Sequence, residues 1–279
     1  MMAQVRFTEA NDKRYAPPCN LGVAVANSLK FTQFATKVEM KNYLSFGGGV
    51  NSVALYLLMQ DLGIEFEAVF VDHGGDWPET YEYVDYFIGT GRPVTILKPV
   101  VSGKNNLVEY CDNYRMIPSR FVRWCTQKWK VAPLNSYFKR PCFSHIGIDA
   151  GEAHRAKIST NDGIEKRYLL IEHEMDRNAC IRLIESKGLK NPGKSGCWFC
   201  PFQRTSQWRR LRRKHPELFC KAIQMEENQN IGRIERGKEK PFFFREGTPL
   251  RMLIGEDILN QKALPGMEDL EYPPCQCGL

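Results

Sequence analysis

Three consecutive glycines stand between a short apolar segment and a helical pattern. The run from Ser45 to Ser52 reads Ser-Phe-Gly-Gly-Gly-Val-Asn-Ser, and mostly apolar residues follow as far as Met59. Glycines let backbone N–H groups approach an anion closely, and a helix N-terminus adds unpaired donors and a partial positive charge. The pattern predicts a phosphate-binding loop, and the alternative is a plain turn between a strand and a helix. The residues predicted to bind are Ser45, Phe46, Gly47, Gly48, Gly49, Asn51 and Ser52.

A second chemical pattern is the Cys-x-x-Cys of Cys197 and Cys200, in a chain of ten cysteines. Disulfides are disfavoured in the cytosol, so clustered cysteines there indicate metal or redox chemistry. This spacing lets two thiolates bind one metal ion, and it is also the spacing of a redox pair. A metal site needs further ligands. Cys180 is the first candidate because its predicted helix leads into this loop, and Cys220 and the tail cysteines follow.

Positive charge is concentrated in one stretch. The formal net charge is +7, and six basic residues fall between Arg204 and Lys214. A basic run of this kind is either a solvated helix face or a contact with a polyanion such as DNA or RNA.

The hydrophobic pattern argues against a membrane protein. The apolar fraction of 43% and the charged fraction of 25% are ordinary for a globular protein. No apolar run reaches the roughly 18 residues that a spanning helix requires. Met1 to Arg14 are mostly polar and lack the apolar core of a signal peptide. A cytoplasmic protein without a membrane partner is therefore expected.

Alternating strand and helix patterns must position these residues. Strands are predicted at 41–45, 66–72 and 94–99, with helices at 53–62 and 81–90 between them. This order predicts an α/β fold with a doubly wound, mainly parallel sheet of the Rossmann-like type. Ligands in such sheets bind at the carboxyl ends of the strands, where the glycine-rich turns at 46–49 and 74–75 fall. We expect an N-terminal arm (1–40), an α/β nucleotide-binding core (41–155) and a helical C-terminal region with the Cys-x-x-Cys site (156–279).

The stretch from Ser45 to Ser52 resembles the pyrophosphate loop (PP-loop) of the adenine nucleotide alpha hydrolases, usually written Ser-Gly-Gly-x-Asp-Ser. Gly47 stands where the motif has its first serine, and Asn51 stands where it has its acidic residue. The resemblance implies cleavage of ATP between the α- and β-phosphates, or binding of a sulfated adenine nucleotide. Such cleavage needs donors around the leaving pyrophosphate and usually Mg²⁺ to offset its charge.

The stretch that begins at Asp72 resembles the Asp-Thr-Gly-x-x-x-Pro-Glu-Thr segment of the phosphoadenosine-phosphosulfate (PAPS) reductase branch of this superfamily. The resemblance implies nucleotide contacts from Asp72, Gly74 and Glu79. Asp72 is the candidate for a Mg²⁺ or ribose contact, and the alternative for it is a polar cap at the end of a strand.

Two later stretches are similar to segments of the same family. Residues 123–134 fit its Arg-x-Cys-x-x-x-x-Lys-x-x-Pro-Leu segment, which implies phosphate or sulfate contacts from Arg123, Lys128 and Lys130. Residues 146–155 fit its Ile-Gly-x-x-x-x-Glu-x-x-Arg segment, which implies that Glu152 and Arg155 flank the nucleotide pocket. The alternative for this last pair is a surface ion pair.

The position of Cys125 matches a cysteine that ligates a [4Fe–4S] cluster in iron–sulfur members of the family. The resemblance therefore implies a site of Cys125, Cys197 and Cys200, with Cys180 as the preferred fourth ligand. This arrangement is similar to that of assimilatory adenylylsulfate reductases and of DNA-phosphorothioation proteins. All-thiolate ligation suits an iron–sulfur cluster or structural zinc. A thiol redox pair without metal is the third alternative.

Three functional hypotheses follow from the resemblance, which covers roughly residues 40–220. The leading one is an ATP-dependent enzyme that adenylates a substrate, in sulfur transfer to nucleic acid, with a cysteine desulfurase or thioredoxin-like donor. The second is a reductase of PAPS or adenylylsulfate. The tail Cys277-Gly278-Leu279 resembles the mobile tail of those enzymes, which implies that Cys277 is the nucleophile. The third is a non-catalytic subunit that binds nucleotide or nucleic acid, which Asn51 favours.

Overall fold

The sheet at the centre of the computed structural model, which describes residues 40–157, 160–245 and 247–253, is almost entirely parallel. Its parallel strands are β1 (Lys41–Phe46), β2 (Glu67–Val71), β3 (Thr95–Leu97), β4 (Cys142–Ile146) and β6 (Ile164–Arg167). The two-residue β5 (Thr160–Asn161) pairs antiparallel with β6 at one edge. The expected α/β fold with a doubly wound, mainly parallel sheet is confirmed.

The strand order β3-β2-β1-β4-β6-β5 places β1 between β2 and β4. In register, Ser45 lies opposite Val69 on one side and Ile146 on the other. The chain reverses its direction of travel across the sheet at β1. A reversal of this kind is expected to leave a crevice outside the carboxyl ends of β1 and β4. This crevice is where a doubly wound sheet binds its ligands.

Helices cover both faces of the sheet and extend beyond it. The longer ones are α1 (Val50–Asp61), α2 (Pro78–Gly89), α3 (Leu107–Asn113), α7 (Arg177–Ser186), α8 (Thr205–Lys214) and α9 (Pro216–Glu235). Between β3 and β4 the chain forms α4 (Trp124–Thr126), a π-helical stretch (Gln127–Val131) and α5 (Ala132–Tyr137). Short turns of helix are α6 (Leu169–Glu172) and the 3₁₀ segments Ala150–Arg155 and Leu250–Met252.

The two largest of four hydrophobic clusters hold most of the buried apolar residues that the structure describes. The first packs α1 against the sheet, α2 and α7, and it includes Leu55, Phe87 and Ile184. The second is rich in aromatic residues and joins α3, α8 and α9 to the Cys-x-x-Cys loop. Its fully buried members include Trp129, Phe199, Trp208 and Phe219.

The sheet continues past the expected boundary at residue 155. Strand β6 pairs with β4 over residues 164–167, and α7 packs closely on α1. The division into three parts stays a prediction. The expected N-terminal arm before residue 40 and the tail from residue 254 lie outside the described residues. In the part of the chain that the structure describes, no helix has the length and apolar character needed to cross a membrane.

A prediction concerns Gly147, which follows β4. A Cβ atom there would lie 2.9 Å from the backbone C of Asn51 and the backbone N of Ser52. Because these are backbone atoms, no side-chain rotation can relieve the contact. We expect Gly147→Ala to lower the free energy of unfolding by about 2 kcal/mol or more. Urea denaturation measures this change.

Gly193→Ala is the matched control, since nothing lies within 4 Å of its added Cβ. We expect this variant to change stability by no more than roughly 0.5 kcal/mol. Equal stability of the two variants would show that the loop after β4 does not press on α1.

Candidate functional site

The glycine loop has the geometry of an anion cradle at the start of α1. Gly48 has a φ of +66°, a left-handed conformation that favours glycine. The backbone N–H of Gly49 donates to Ser52 Oγ (3.2 Å), and Ser52 Oγ donates to the Gly49 carbonyl (2.9 Å). Ser52 thus fixes the first turn, and the remaining N–H groups of the helix start are left to bind an anion.

The loop after β4 lies directly against this helix start. Gly147 approaches the backbone of Asn51 and Ser52 too closely for any side chain. Two residues later, Asp149 Oδ2 accepts a hydrogen bond from Asn51 Nδ2 (2.9 Å). Both side chains are buried, with Asp149 only 2% exposed. The loop after β4 therefore places a carboxylate beside the glycine loop.

A large cavity of about 980 Å³ opens beside this contact. Four of the predicted nucleotide-binding residues line it: Ser45, Arg123, Glu152 and Arg155. Arg155 Nη1 donates a hydrogen bond to Glu152 Oε1 (2.7 Å). The ion pair that was the alternative to nucleotide contacts for these two residues is therefore present, and it lies on the cavity wall. Further charged side chains on the wall are Asp149, Lys157, Lys166, Asp176 and Arg177, and His154 lies there too. The excess of cations suits a polyanionic ligand.

Four other predicted residues do not line the cavity and are held elsewhere. Asp72 Oδ1 accepts hydrogen bonds from the Gly74 N–H (3.0 Å) and the Tyr81 hydroxyl (3.1 Å), as a cap at the end of β2 does. Gly74 itself has a φ of +71° and packs on Asn106. The nucleotide contacts predicted for Asp72 and Gly74 stay predictions.

Glu79 and Lys128 also have partners of their own. Glu79 faces His215 Nε2 (3.1 Å) and Arg210 Nη2 (3.5 Å), which belong to the start of α9 and to α8. Lys128 Nζ donates to the Tyr110 hydroxyl (3.1 Å) and lies over its ring. These side chains tie α2 and the π-helical stretch to their neighbours. Their predicted contact with nucleotide finds no support in this arrangement.

The segment before the Cys-x-x-Cys covers the glycine loop. A Cβ on Gly49 would lie 2.4 Å from Ser195 Oγ. The Gly196 carbonyl accepts from the Trp77 N–H (3.0 Å), and the Lys190 carbonyl accepts from the Tyr83 hydroxyl (2.7 Å). Burial lowers the pKa of neighbouring Lys194 to about 8. Lys194 is thus a partly buried lysine one residue before the contact of Ser195 with Gly49, and it was not among the predicted site residues.

Three of the predicted metal ligands come together. Cys125, Cys197 and Cys200 line one small cavity of about 30 Å³. Residues 197–198 are held against 75–76 by an Asp76–Cys197 β-bridge and by the Trp198 N–H, which donates to the Gly75 carbonyl (3.0 Å). Burial raises the pKa of all three thiols. They are therefore protonated near neutral pH unless a cation binds beside them.

The fourth predicted ligand, Cys180, is not part of this group. It is fully buried in the first hydrophobic cluster, on the face of α7 that packs on α1. The expectation that Cys180 completes the site is wrong. The apolar face of α7 turns this thiol toward the sheet layer, whereas the Cys-x-x-Cys loop joins the other cluster. Cys220 is exposed on α9, and Cys277 lies outside the described residues.

His73, Asp76 and Lys130 lie next to the cysteines instead. His73 Nε2 is 3.7 Å from Cys197 Sγ and 3.4 Å from Asp76 Oδ1. The Gly75 N–H donates to His73 Nδ1 (3.1 Å), so the neutral ring carries its proton on Nε2 and donates toward Cys197 and Asp76. Burial alone would raise the pKa of Asp76, but His73 and Lys130 hold it at about 2.

The donor set at this cavity fits a soft metal. Three thiols offer sulfur ligands of the kind that zinc and iron–sulfur clusters take. Lys130 Nζ, 3.8 Å from Asp76 Oδ1, adds a positive charge beside the sulfur atoms. Within the described residues, one group of His, Cys, Asp or Glu side chains has its ligand atoms all within 4.8 Å of one another: His73, Asp76 and Cys197.

The two cavities share a wall. Arg123 and Thr126 line both the 980 Å³ cavity and the cavity of the cysteines. The sequence signal for the missed residues was weak, because Lys194 stands beside motif residues without belonging to the site predictions, and Asp149 is a single acid after a strand. Lys130 was predicted to contact phosphate or sulfate, and the structure places its Nζ 3.8 Å from Asp76 Oδ1, beside the cysteines.

Part of this chain is similar to known proteins. The family model described as the phosphoadenosine phosphosulfate reductase domain matches residues 41–159. Two uncharacterized proteins of Methanocaldococcus jannaschii are similar to this chain. One is 24% identical over 229 residues, which are 72% of this chain and 53% of that protein. The other is 27% identical over 202 residues, which are 66% of this chain and 41% of that protein. The chain thus spans about half the length of these relatives.

A solved structure is also similar to this chain. It is a phosphoadenylyl-sulfate (PAPS) reductase from Candida auris in a phosphate complex, with a TM-score of 0.43 and 15% identity, over 59% of this chain and 84% of that one. The family match over residues 41–159 includes the glycine loop between β1 and α1. This part of the chain is therefore similar to the phosphoadenosine phosphosulfate reductase domain.

Proposed function

We propose that this chain binds ATP, or a related adenine nucleotide, with its phosphates at the glycine loop and its nucleoside in the large cavity. The observation that carries the proposal is that both meet at one crevice. Ser45 lines the cavity, and the glycines begin two residues later at the start of α1. A volume of about 980 Å³ accommodates a nucleotide. Arg123, Arg155 and Arg177 on the wall complement phosphate.

The reaction that we infer is adenylation of a second substrate. An oxygen of that substrate attacks the α-phosphorus, the bond from the α-phosphorus to the bridging oxygen breaks, and pyrophosphate leaves with the bonding electrons. The proton of the attacking group passes to water. The N–H groups at the start of α1 hold the leaving pyrophosphate. Mg²⁺, when bound, offsets the remaining charge.

We place the acceptor among nucleic acids, with sulfur transfer as the purpose of the adenylation. Helix α8 and the residue before it support this choice, because Arg204, Arg213 and Lys214 are exposed there. Arg210 differs from them, since it pairs with Glu79 and lies over the ring of Trp77. The basic run is therefore partly structural and partly open to a polyanion.

The cysteine cavity is the proposed site of the sulfur chemistry. Cys125, Cys197 and Cys200 suit a [4Fe–4S] cluster that keeps one iron without a protein thiolate, or a zinc ion as the alternative. His73 positions the Cys197 sulfur through its Nε2–H, and Lys130 balances negative charge at the site.

Reduction of PAPS or adenylylsulfate is the second candidate function. The match of residues 41–159 to the PAPS reductase domain favours it. In that reaction the thiolate of a tail cysteine, Cys277, attacks the sulfate sulfur, and the bond from this sulfur to the phosphate oxygen breaks so that the nucleotide leaves. A thioredoxin-like dithiol then releases sulfite from Cys277, which restores the thiol, and is itself oxidised to a disulfide. The reductase releases sulfite and needs no cleavage of ATP, so its products distinguish it from the adenylating enzyme.

The first prediction from this proposal tests whether the glycine loop binds the phosphates and whether the reaction occurs. Gly47 is exposed, has no strained backbone and leaves room for a Cβ, whose nearest neighbour would be Ser52 Oγ at 3.9 Å. Gly47→Ala therefore keeps the fold but places a methyl group where the anion approaches. We expect it to weaken the binding of a fluorescent ATP analogue about tenfold or more. Gly89→Ala, with no neighbour within 4 Å, is the control and keeps full affinity.

Anaerobic incubation of the wild type completes this test. ATP with Mg²⁺ and a nucleic-acid acceptor should yield pyrophosphate, and Gly47→Ala should lower its rate by a similar factor. Release of sulfite from PAPS without pyrophosphate from ATP would favour the reductase instead. Equal nucleotide affinity of Gly47→Ala and the wild type refutes the cradle.

The second prediction concerns the metal. Anaerobically prepared protein should be brown and contain about four iron atoms per chain. Cys197→Ser should lose most of this iron, whereas Cys180→Ala should retain it because Cys180 lies in the other hydrophobic cluster. A colourless protein with one equivalent of zinc contradicts the cluster, and iron loss in Cys180→Ala contradicts the ligand assignment.

The third prediction concerns the polyanion. If α8 contacts nucleic acid, binding should weaken steeply as salt rises. Arg213→Ser with Lys214→Ser should reduce the slope of log K against log salt by roughly 1.5. The same loss of charge at the exposed Lys238 and Lys240 should leave the slope unchanged. If binding by the wild type does not depend on salt, the basic run is a solvated helix face and does not contact nucleic acid.

A further inference from the structure

The contact between Asn51 and Asp149 joins two residues that are far apart in the chain. Asn51 stands in the first turn of α1, and Asp149 follows β4. The Asn51 amide donates to Asp149 Oδ2 at 2.9 Å, and the side chains are 8% and 2% exposed. A carboxylate thus lies at the helix start through a residue from another strand.

Asp149 has little to balance its charge inside the protein. In the described part of the chain, the Asn51 amide is its one hydrogen-bonding side chain, and no ion pair involves it. A buried carboxylate with a neutral partner is costly unless a cation or a helix N-terminus offsets it. The start of α1 supplies part of that compensation. Asp149 also lines the large cavity, so a bound cation can reach it.

Unpartnered oxygens accompany this carboxylate. Asn51 Oδ1 is buried and has no hydrogen-bond partner, and neither does Glu152 Oε2, whose side chain lines the same cavity. Asp149 Oδ1 accepts no hydrogen bond from any described residue. Buried oxygens normally find a partner. Carboxylate and amide oxygens together with phosphate oxygens and water are the ligands that Mg²⁺ takes.

We propose that Asp149 supplies the protein carboxylate that binds Mg²⁺ at the glycine loop, where Asn51 presents only a neutral amide. Asn51 and Asp149 together then carry one negative charge, and this charge lies on the loop after β4 instead of on α1. Two carboxylates 2.9 Å apart would repel each other, which explains why the partner of Asp149 is an amide. Asp72 is less suited, because its Oδ1 already accepts two hydrogen bonds.

This inference rests on the proposed nucleotide site. It is tested by removing the carboxylate at residue 149 and by moving it to residue 51. The measurement is the dissociation constant of α,β-methylene-ATP, which cannot be cleaved at the bond in question, with Mg²⁺ and with EDTA. The ratio of the two constants reports how strongly the metal couples to the nucleotide. We expect a ratio of about tenfold or more in the wild type. Asp149→Asn should bring the ratio below about twofold and leave the EDTA value nearly unchanged.

The double variant Asn51→Asp with Asp149→Asn restores one carboxylate and one amide to the same contact. It should recover most of the metal dependence, and Glu174→Gln, an exposed acid, is the control that keeps it. If Asp149→Asn does not fold, the double variant decides alone: metal dependence supports the proposal, and its absence overturns it.

Other outcomes are separable. Full metal dependence in Asp149→Asn overturns the proposal, and so does equal loss of affinity with and without metal, which is the mark of a structural role. A wild type that binds nucleotide without any effect of Mg²⁺ also overturns it. A wild type that binds no nucleotide at all refutes the proposed function itself.

Discussion

The close approach of two backbones, at Gly147 and at the first turn of α1, is the constraint on which the rest of the site depends. There is no space for a Cβ at Gly147, so the loop after β4 lies directly on Asn51 and Ser52. Since β1 and β4 are neighbours in the sheet, this contact closes one side of the crevice at their carboxyl ends. The glycine loop, the buried Asp149 and the wall of the large cavity are all placed by it.

The local parts of this arrangement could be predicted from the sequence. A strand, a glycine loop and a helix occur within about twenty residues, and their conformation depends on backbone rules that the sequence displays. The parallel sheet follows in the same way from alternating strands and helices. Cys125, Cys197 and Cys200 were expected near one another, and the structure does place them around one cavity.

The remaining positions depend on contacts between distant segments. Cys180 appeared suitable because its helix leads into the cysteine loop, but the apolar face of α7 turns it toward α1. Glu79 belongs to a motif, yet His215 and Arg210 arrive from much later in the chain and hold it. No local sequence pattern indicated Asp149, because its position matters only through the hydrogen bond from Asn51, which lies 98 residues earlier in the chain. In each case a tertiary partner decides what a side chain can do, and no local pattern shows that partner.

The shared wall of the two cavities would bring the proposed nucleotide site and the proposed cysteine metal site side by side. The segment from Arg123 to Thr126 borders both cavities and presents Cys125 to the smaller one. The π-helical stretch that follows buries Trp129 completely and turns Lys130 toward Asp76, while Lys128 goes to Tyr110. π-helical geometry is frequent at functional sites because it changes which side chains face inward. The short segment that borders the large cavity is therefore the same one that carries the Cys125 sulfur, so a ligand bound against this wall would lie one layer of residues from the cysteines.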